Sequence, residues 1–309
     1  MGEFDLIKTY FNQKPLAELP EHIALGIGDD CAVIQPRPAF DLVLSVDTAV
    51  AGVHFPVHAA PFDIATRSFC CALSDLAAMG AEPAFFTLAI SLPQKDEHWL
   101  AEFSCGLSEC ARQYNCRLIG GDTTKSSVLS ITIAVHGYIP AGQALKRSGA
   151  QVGDDVWVSG TLGDAAAALP MVLKQKTVTE FFQQRFYFPR PEIQLGQFLI
   201  GRASACMDIS DGLMQDAGHI AAASDVQLQL DAQLIPLAPE CLRFYEHKVA
   251  LQYALNGGDD YRLLFCAAPT QRDALLLQGC VCIGQVQAGQ GVELLNAPVG
   301  FARQGYQHF

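Results

Sequence analysis

Much of what would quickly place this 309-residue chain is missing from it. No lysine follows a glycine, so the Gly-x-x-x-x-Gly-Lys-Ser/Thr loop that cradles nucleotide phosphates is absent. Gly26 and Gly28 open a dinucleotide-like pattern, but Cys31 stands at its third position, and acidic residues fill places where a pyrophosphate needs N–H groups. Basic residues are few, 20 Lys and Arg against 32 Asp and Glu. The net charge of −12 offers no broad surface for a phosphate backbone, which argues against nucleic acid as a partner. No uncharged apolar run reaches the roughly 18 residues of a membrane span, and the acidic start Met1-Gly2-Glu3-Phe4-Asp5 lacks the pattern of a signal peptide. Eleven cysteines include no Cys-x-x-Cys pair and none beside a metal-spaced histidine, so they read as small core residues in a reducing cytoplasm. No Ser/His/Asp triad spacing is recognisable.

What is present is a half-hydrophobic composition, enough for a sizeable core, and a recurring motif in which a carboxylate follows glycine or serine where an apolar stretch stops. It occurs in Gly26-Ile27-Gly28-Asp29-Asp30, Ser45-Val46-Asp47-Thr48, Ser74-Asp75, Gly120-Gly121-Asp122-Thr123, Asp208-Ile209-Ser210-Asp211-Gly212 and Gly257-Gly258-Asp259-Asp260. Taken singly, such an aspartate is as ordinary as a helix cap or a turn residue. Six in series, if the loops converge, crowd carboxylates that need counter-charge. Magnesium takes one or two carboxylates per ion and completes its octahedron with phosphate and water. Asp30, Asp47, Asp75, Asp122, Asp208 and Asp211 are therefore expected to hold several Mg2+ ions against a nucleotide's phosphates. Arg147 is a candidate for phosphate anchoring or a solvated loop cation, and Lys125 carries the same ambiguity. His54 reads as a packed or surface histidine or a ligand, and Tyr306 as a stacking platform or a core patch.

Periodicity predicts helices over 3–11, from Pro61 to a stop at Gly80, over 96–114 and from Gly212 to about 223. Strands are predicted at 42–46, ending at Asp47, and at 84–92, 117–119, 128–139, 155–159, 226–230 and 261–267, with Gly120-Gly121-Asp122 as a turn after the third of them, and a further strand runs into Asp208. The mixture points to α+β or α/β. A glycine-rich stretch, 140–153, marks a domain boundary, set at 147/148, and the recurrence of Ser-Asp and Gly-Gly-Asp in both halves is weak evidence for two related domains.

In order along the chain, GIGDDCAV (26–33), VAGVHF (50–55), LSDLAAMGAEP (73–83), GGDTT (120–124), RSGAQVGD (147–154), MDISDGL (207–213), GGDDYRLLF (257–265) and GYQHF (305–309) resemble the thiamine-monophosphate kinase family of the aminoimidazole-ribonucleotide-synthetase-like superfamily. The resemblance implies a two-domain mixed α+β fold of that superfamily: an N-terminal sheet domain (1–147) that binds ATP and magnesium and forms a homodimer, and a C-terminal α/β domain (148–309) that completes the site. It implies transfer of the ATP γ-phosphoryl group to thiamine monophosphate in the cytoplasm. By the same resemblance magnesium falls to Asp30, Ser45, Val46, Asp47, Asp75, Asp122, Asp208 and Asp211. ATP falls to Gly121, Asp122, Arg147 and Ser210, and the thiamine moiety to His54, Asp259 and Tyr306, with Asp47, Asp122 and Arg147 nearest the chemistry. Val46 stands where relatives commonly carry threonine, so only its carbonyl could reach a metal, and Asp259 stands where the family usually has glutamate. Asp29 and Asp260 are left as structural neighbours.

The acceptor is itself a phosphate, largely deprotonated near neutral pH, so no dedicated general base is required. Other readings are a superfamily relative with a different acceptor and a non-catalytic magnesium-nucleotide sensor.

Overall fold

The computed structural model describes residues 2–174, 178–297 and 299–301. They form two compact units, one of the described residues up to 76 together with 81–142, the other of residues 77–80 and the described residues from 143 onward.

The first unit opens with a short helix, α1 (Glu3–Leu6), that continues as a π-helical segment, Ile7–Phe11. The small antiparallel pair β1 (Ile23–Leu25) and β2 (Val33–Ile34) follows, then β3 (Phe40–Val50), α2 (Pro61–Met79), β4 (Glu82–Leu92), α3 (Glu97–Gln113), β5 (Arg117–Lys125) and β6 (Ser130–Pro140). The Asp96 carboxylate caps α3 by accepting the N–H groups of His98 and Trp99, both at 3.0 Å. Leu100, Phe103, Leu107 and Ala111, spaced by three and four, bury one stripe of that helix.

The sheet of this unit runs β3-β6-β4-β5, with β4 and β5 parallel and the other pairs antiparallel. Ile131, Ile133 and Val135 of β6 are fully buried on one face. On the other, Leu42, Leu44 and Val46 of β3 are 46%, 62% and 59% exposed.

Two sequence expectations need correction. β3 does not end at Asp47, because Thr48, Ala49 and Val50 still pair with Thr132, Ile131 and Ser130. Gly120-Gly121-Asp122 is not a turn but the middle of β5, facing Thr87, Leu88 and Ala89 of β4. Glycine is needed there for close approach, since a Cβ on Gly121 would sit 1.9 Å from the Leu88 carbonyl oxygen.

The second unit contains β7 (Asp155–Val158), α4 (Asp164–Leu173), α5 (Glu180–Tyr187), α6 (Ile193–Leu199), β8 (Ala203–Asp208), α7 (Leu213–Ser224), β9 (Gln227–Asp231), α8 (Pro239–Phe244), α9 (His247–Asn256), β10 (Leu263–Ala267), α10 (Arg272–Leu277), β11 (Val281–Gln287) and β12 (Gly291–Leu295). Its six-stranded sheet has the order β12-β9-β11-β7-β10-β8, parallel only at β12–β9. Both faces are covered, which is why β7 and β10 are buried along their whole length. Val156, Val158 and Leu264 pack with Leu213, Ile220 and Leu255 of α7 and α9. Trp157 and Phe265 face Leu195, Leu199 and Leu275 of α6 and α10. Among the described residues no helix is long and apolar enough to cross a membrane.

Candidate active site

In the first unit the predicted residues lie on β3, α2, β5 and the β1–β2 connection. Ser45 and Asp47 are two apart on β3 and pair with Val135 and Ile133, so both stand on the buried face of the sheet. Ser45 Oγ donates to Asp75 Oδ2 of α2 at 2.5 Å, a link between strand and helix. Asp47 Oδ1 accepts the Thr48 N–H at 2.9 Å, and Asp29 Oδ1 accepts the Asp30 N–H at 2.9 Å. Val46 points the other way, into the exposed apolar row. Asp122 lies on β5, three strand spacings from β3, roughly 14 Å along the sheet.

His54 is oriented from both sides. Its Nδ1 accepts the Val50 N–H at 3.1 Å, and its carbonyl accepts Nε of the buried Arg67 at 3.0 Å.

In the second unit two turns interlock. The first, residues 208–212, ends β8; the second, residues 257–261, precedes β10. Asp259 N–H donates to the Ser210 carbonyl at 2.9 Å and Tyr261 N–H to the Ile209 carbonyl at 2.8 Å. A Cβ on Gly258 would lie 2.2 Å from the Ser210 carbonyl oxygen, so this contact requires glycine. Asp259 and Tyr261 have φ of 68° and 50°, a left-handed backbone that costs energy and persists because neighbours over-determine it. The Tyr261 hydroxyl donates to Asp259 Oδ1 at 3.1 Å. Arg147 is exposed, with its carbonyl accepting Ser224 Oγ at 3.1 Å. Tyr306 lies outside the described residues.

Sequence reasoning missed Asp216. This buried aspartate of α7 accepts the N–H groups of Ser210, Asp211 and Gly212 on one oxygen, Oδ2, each at 3.1 Å. Burial and then the nearby Asp208 push its carboxyl up to about 7. The one available signal was an acid in the first turn of a helix following Asp-Gly, which does not separate a loop anchor from a helix-dipole partner. Asp260 is likewise structural: both its oxygens lie 2.9 Å from the Gly163 N–H, and burial pushes its carboxyl well above the usual range.

The donor chemistry suits a hard divalent cation. Asp30, Asp47, Asp122 and Asp211 have no Lys or Arg ion-pair partner among the described residues, which therefore supply no direct counter-charge for them. No three His, Cys, Asp or Glu of the described residues form a ready-made cluster. Magnesium needs only one or two carboxylates per ion, with phosphate and water completing its shell.

Residues 28–139 match the family model of AIR synthase related protein, N-terminal domain. A thiamine-monophosphate kinase from Haemophilus influenzae is 43% identical over 296 residues, covering 93% of this chain and 89% of the relative. The crystal structure of thiamine-monophosphate kinase from Stenotrophomonas maltophilia K279a superposes with a TM-score of 0.86 at 42% identity, over 95% of this chain and 96% of that one. A structure described as AaThiL complexed with AMPPCP and TMP superposes with a TM-score of 0.81 at 32% identity, over 100% of this chain and 97% of that one. The fold is that of the AIR-synthase-like proteins, and the chain belongs to the thiamine-monophosphate kinase family.

Proposed function

We propose that this chain transfers the γ-phosphoryl group of ATP to thiamine monophosphate, giving thiamine diphosphate and ADP, as a cytoplasmic enzyme at the last step of thiamine diphosphate formation. The likeness to thiamine-monophosphate kinases along the whole chain is the observation that carries the reading. The uncompensated aspartates add an independent physical reason, because two polyanions must approach one another and the protein alone does not neutralise them.

In this reading Asp30, Ser45, the Val46 carbonyl, Asp47, Asp75, Asp122, Asp208 and Asp211 hold Mg2+. Gly121, Asp122, Arg147 and Ser210 meet ATP, and His54, Asp259 and Tyr306 meet the thiamine moiety. Bound magnesium would screen the phosphates and polarise the transferred group. The chain's own residues position the reactants. Ser45 steadies the Asp75 carboxylate, the Val50 N–H orients the His54 ring while Arg67 holds the His54 backbone carbonyl, and the Tyr261 hydroxyl steadies the shortened Asp259 side chain. The acceptor phosphate attacks in line as an already ionised nucleophile, with no phosphoenzyme.

The protein further acts as a homodimer through the first unit. A sheet whose two edges are unpaired among the described residues, with an exposed row of Leu42, Leu44 and Val46, is covered when two copies close eight strands into a barrel. Such closure also carries the β5 edge, with the partner's Asp122, toward β3 and Asp47.

Incubation with magnesium, ATP and thiamine monophosphate should yield thiamine diphosphate, and Asp47→Asn or Asp122→Asn should abolish turnover while the fold survives. Binding of both substrates without product would instead favour a sensor, and retention of configuration at a chiral γ-phosphorus would exclude direct transfer. Val46→Asp should yield a monomer by light scattering; an unchanged dimer refutes the barrel interface.

A further inference from the structure

The turn at 208–212 presents three consecutive N–H groups to one point, an arrangement that elsewhere makes an anion cradle for phosphate. Here that point is already taken. Asp216 Oδ2 lies 3.1 Å from each of the Ser210, Asp211 and Gly212 nitrogens, on a side chain from the first turn of α7 that is 1% exposed. On its other side the same turn is bound through the Ser210 carbonyl, which accepts the Asp259 N–H at 2.9 Å. Both backbone groups of Ser210 are therefore engaged within the protein, and its hydroxyl is the group left to meet a nucleotide.

We propose that Asp216 is a positioning residue for the phosphoryl-transfer site: an internal anion that fills the amide cradle, excludes phosphate from it and fixes the direction in which the Asp208 and Asp211 side chains leave the turn. The inference rests on the reading of Asp208 and Asp211 as magnesium ligands. Asp216 acts on Asp211 through the backbone N–H groups it binds, and on Asp208, two residues before the cradle, through the turn those bonds hold and the proximity of the two carboxyls. Three bonds converging on one carboxylate oxygen hold the turn in one geometry, and while the group is ionised each is stronger than a bond to a neutral acceptor. Gln215 Nε2 adds a fourth restraint by donating to Asp211 Oδ2 at 3.0 Å. Site precision of this kind depends on supporting groups that do not themselves react.

The test is calorimetric binding of a non-hydrolysable ATP analogue to the full chain across a magnesium series. Asp216→Asn keeps an acceptor oxygen but loses the charge, and the magnesium concentration for half-maximal binding is expected to rise by about threefold to tenfold. Asp216→Ala loses the acceptor, and the rise is expected to be roughly tenfold larger again. In both variants the deficit should close at saturating magnesium, which a general loss of structure would not do. If Asp216→Ala does not fold, Asp216→Asn alone decides, and an unchanged magnesium requirement in it overturns the proposal. Asp211→Asn separates the two levels of the argument. If it also binds with the parent's magnesium requirement, the metal reading fails and the proposal with it. If it is impaired while both position-216 variants match the parent, only the role of Asp216 is refuted.

Discussion

Replacing Gly121 by alanine adds one carbon at the tightest approach between β4 and β5. That Cβ would stand 1.9 Å from the Leu88 carbonyl oxygen and 2.8 Å from its carbon, whereas ordinary contact begins near 3.4 Å. The strand must yield by about 1.5 Å, the difference of the two oxygen distances, or close to a third of the ~4.8 Å spacing between neighbouring strands. A shift of that size breaks or stretches two or three ladder bonds, a loss of about 2–3 kcal/mol. For a unit of this size the thermal midpoint should fall by roughly 5–10 °C. The neighbour Asp122 moves with the strand, and a displacement of order 1 Å in a positioned group costs about a hundredfold in turnover. Scanning calorimetry and a coupled assay of ADP release would measure the two effects. A Gly121→Ala protein with the parent's midpoint and the parent's turnover would refute the close register of β4 and β5 on which the estimate rests.

Arg185→Ala strips Nε, at 3.1 Å, from the buried Asp164 carboxylate, leaving it the Thr161 and Cys241 donors among the described residues. Urea unfolding should show a loss on the order of 3 kcal/mol, and a loss below ~0.5 kcal/mol would show that the remaining donors suffice. His22 and His136 are both held below the usual histidine range, chiefly by burial. A base with a depressed folded pKa lowers stability as pH falls below its unfolded value of about 6.5, so the midpoint should drop from pH 7 to pH 5, and less steeply in His136→Gln. Equal slopes in parent and variant would contradict this. Iodoacetamide at pH 8 should label the exposed Cys31 and Cys105 first, while thiols such as Cys116 and Cys266, pushed up by burial, react only after unfolding. Peptide mapping reads the order, and early labelling of Cys116 would contradict the packing described.

How far the chain could be read without coordinates depended on whether a residue's role was local. Helix α3 was legible because its cap and its apolar stripe are both encoded within the segment, and β8 because its apolar run stops at Asp208. β5 was misread because paired glycines usually signal a turn, whereas Gly121 serves a strand 33 positions earlier, at Leu88. The continuation of β3 past Asp47 was hidden for the same reason, its partners lying at residues 130–132. No helix was expected at α4, where Pro170 stands inside the element and reads as a break. The aspartates of the site were visible as Gly/Ser-Asp steps, but the individual roles assigned to them came from order and resemblance. Asp216 was invisible because its function lies in three backbone bonds, and the identities of Ser210, Asp211 and Gly212 do not encode them.

The long separation between β3 and its one neighbour in the sheet also has a consequence in time. Val50 pairs with Ser130 and Phe40 with Pro140, so each residue of β3 waits for 80 to 100 further residues to be synthesised before its ladder partner exists. At about 5–20 residues per second that is roughly 4–20 s during which a strand carrying Leu42, Leu44 and Val46 has left the ribosome without its hydrogen-bonding partner. A nascent chain of this protein therefore spends seconds as a sticky edge, and its yield in the cell should depend on the holdase capacity available during translation as well as on the stability of the finished fold.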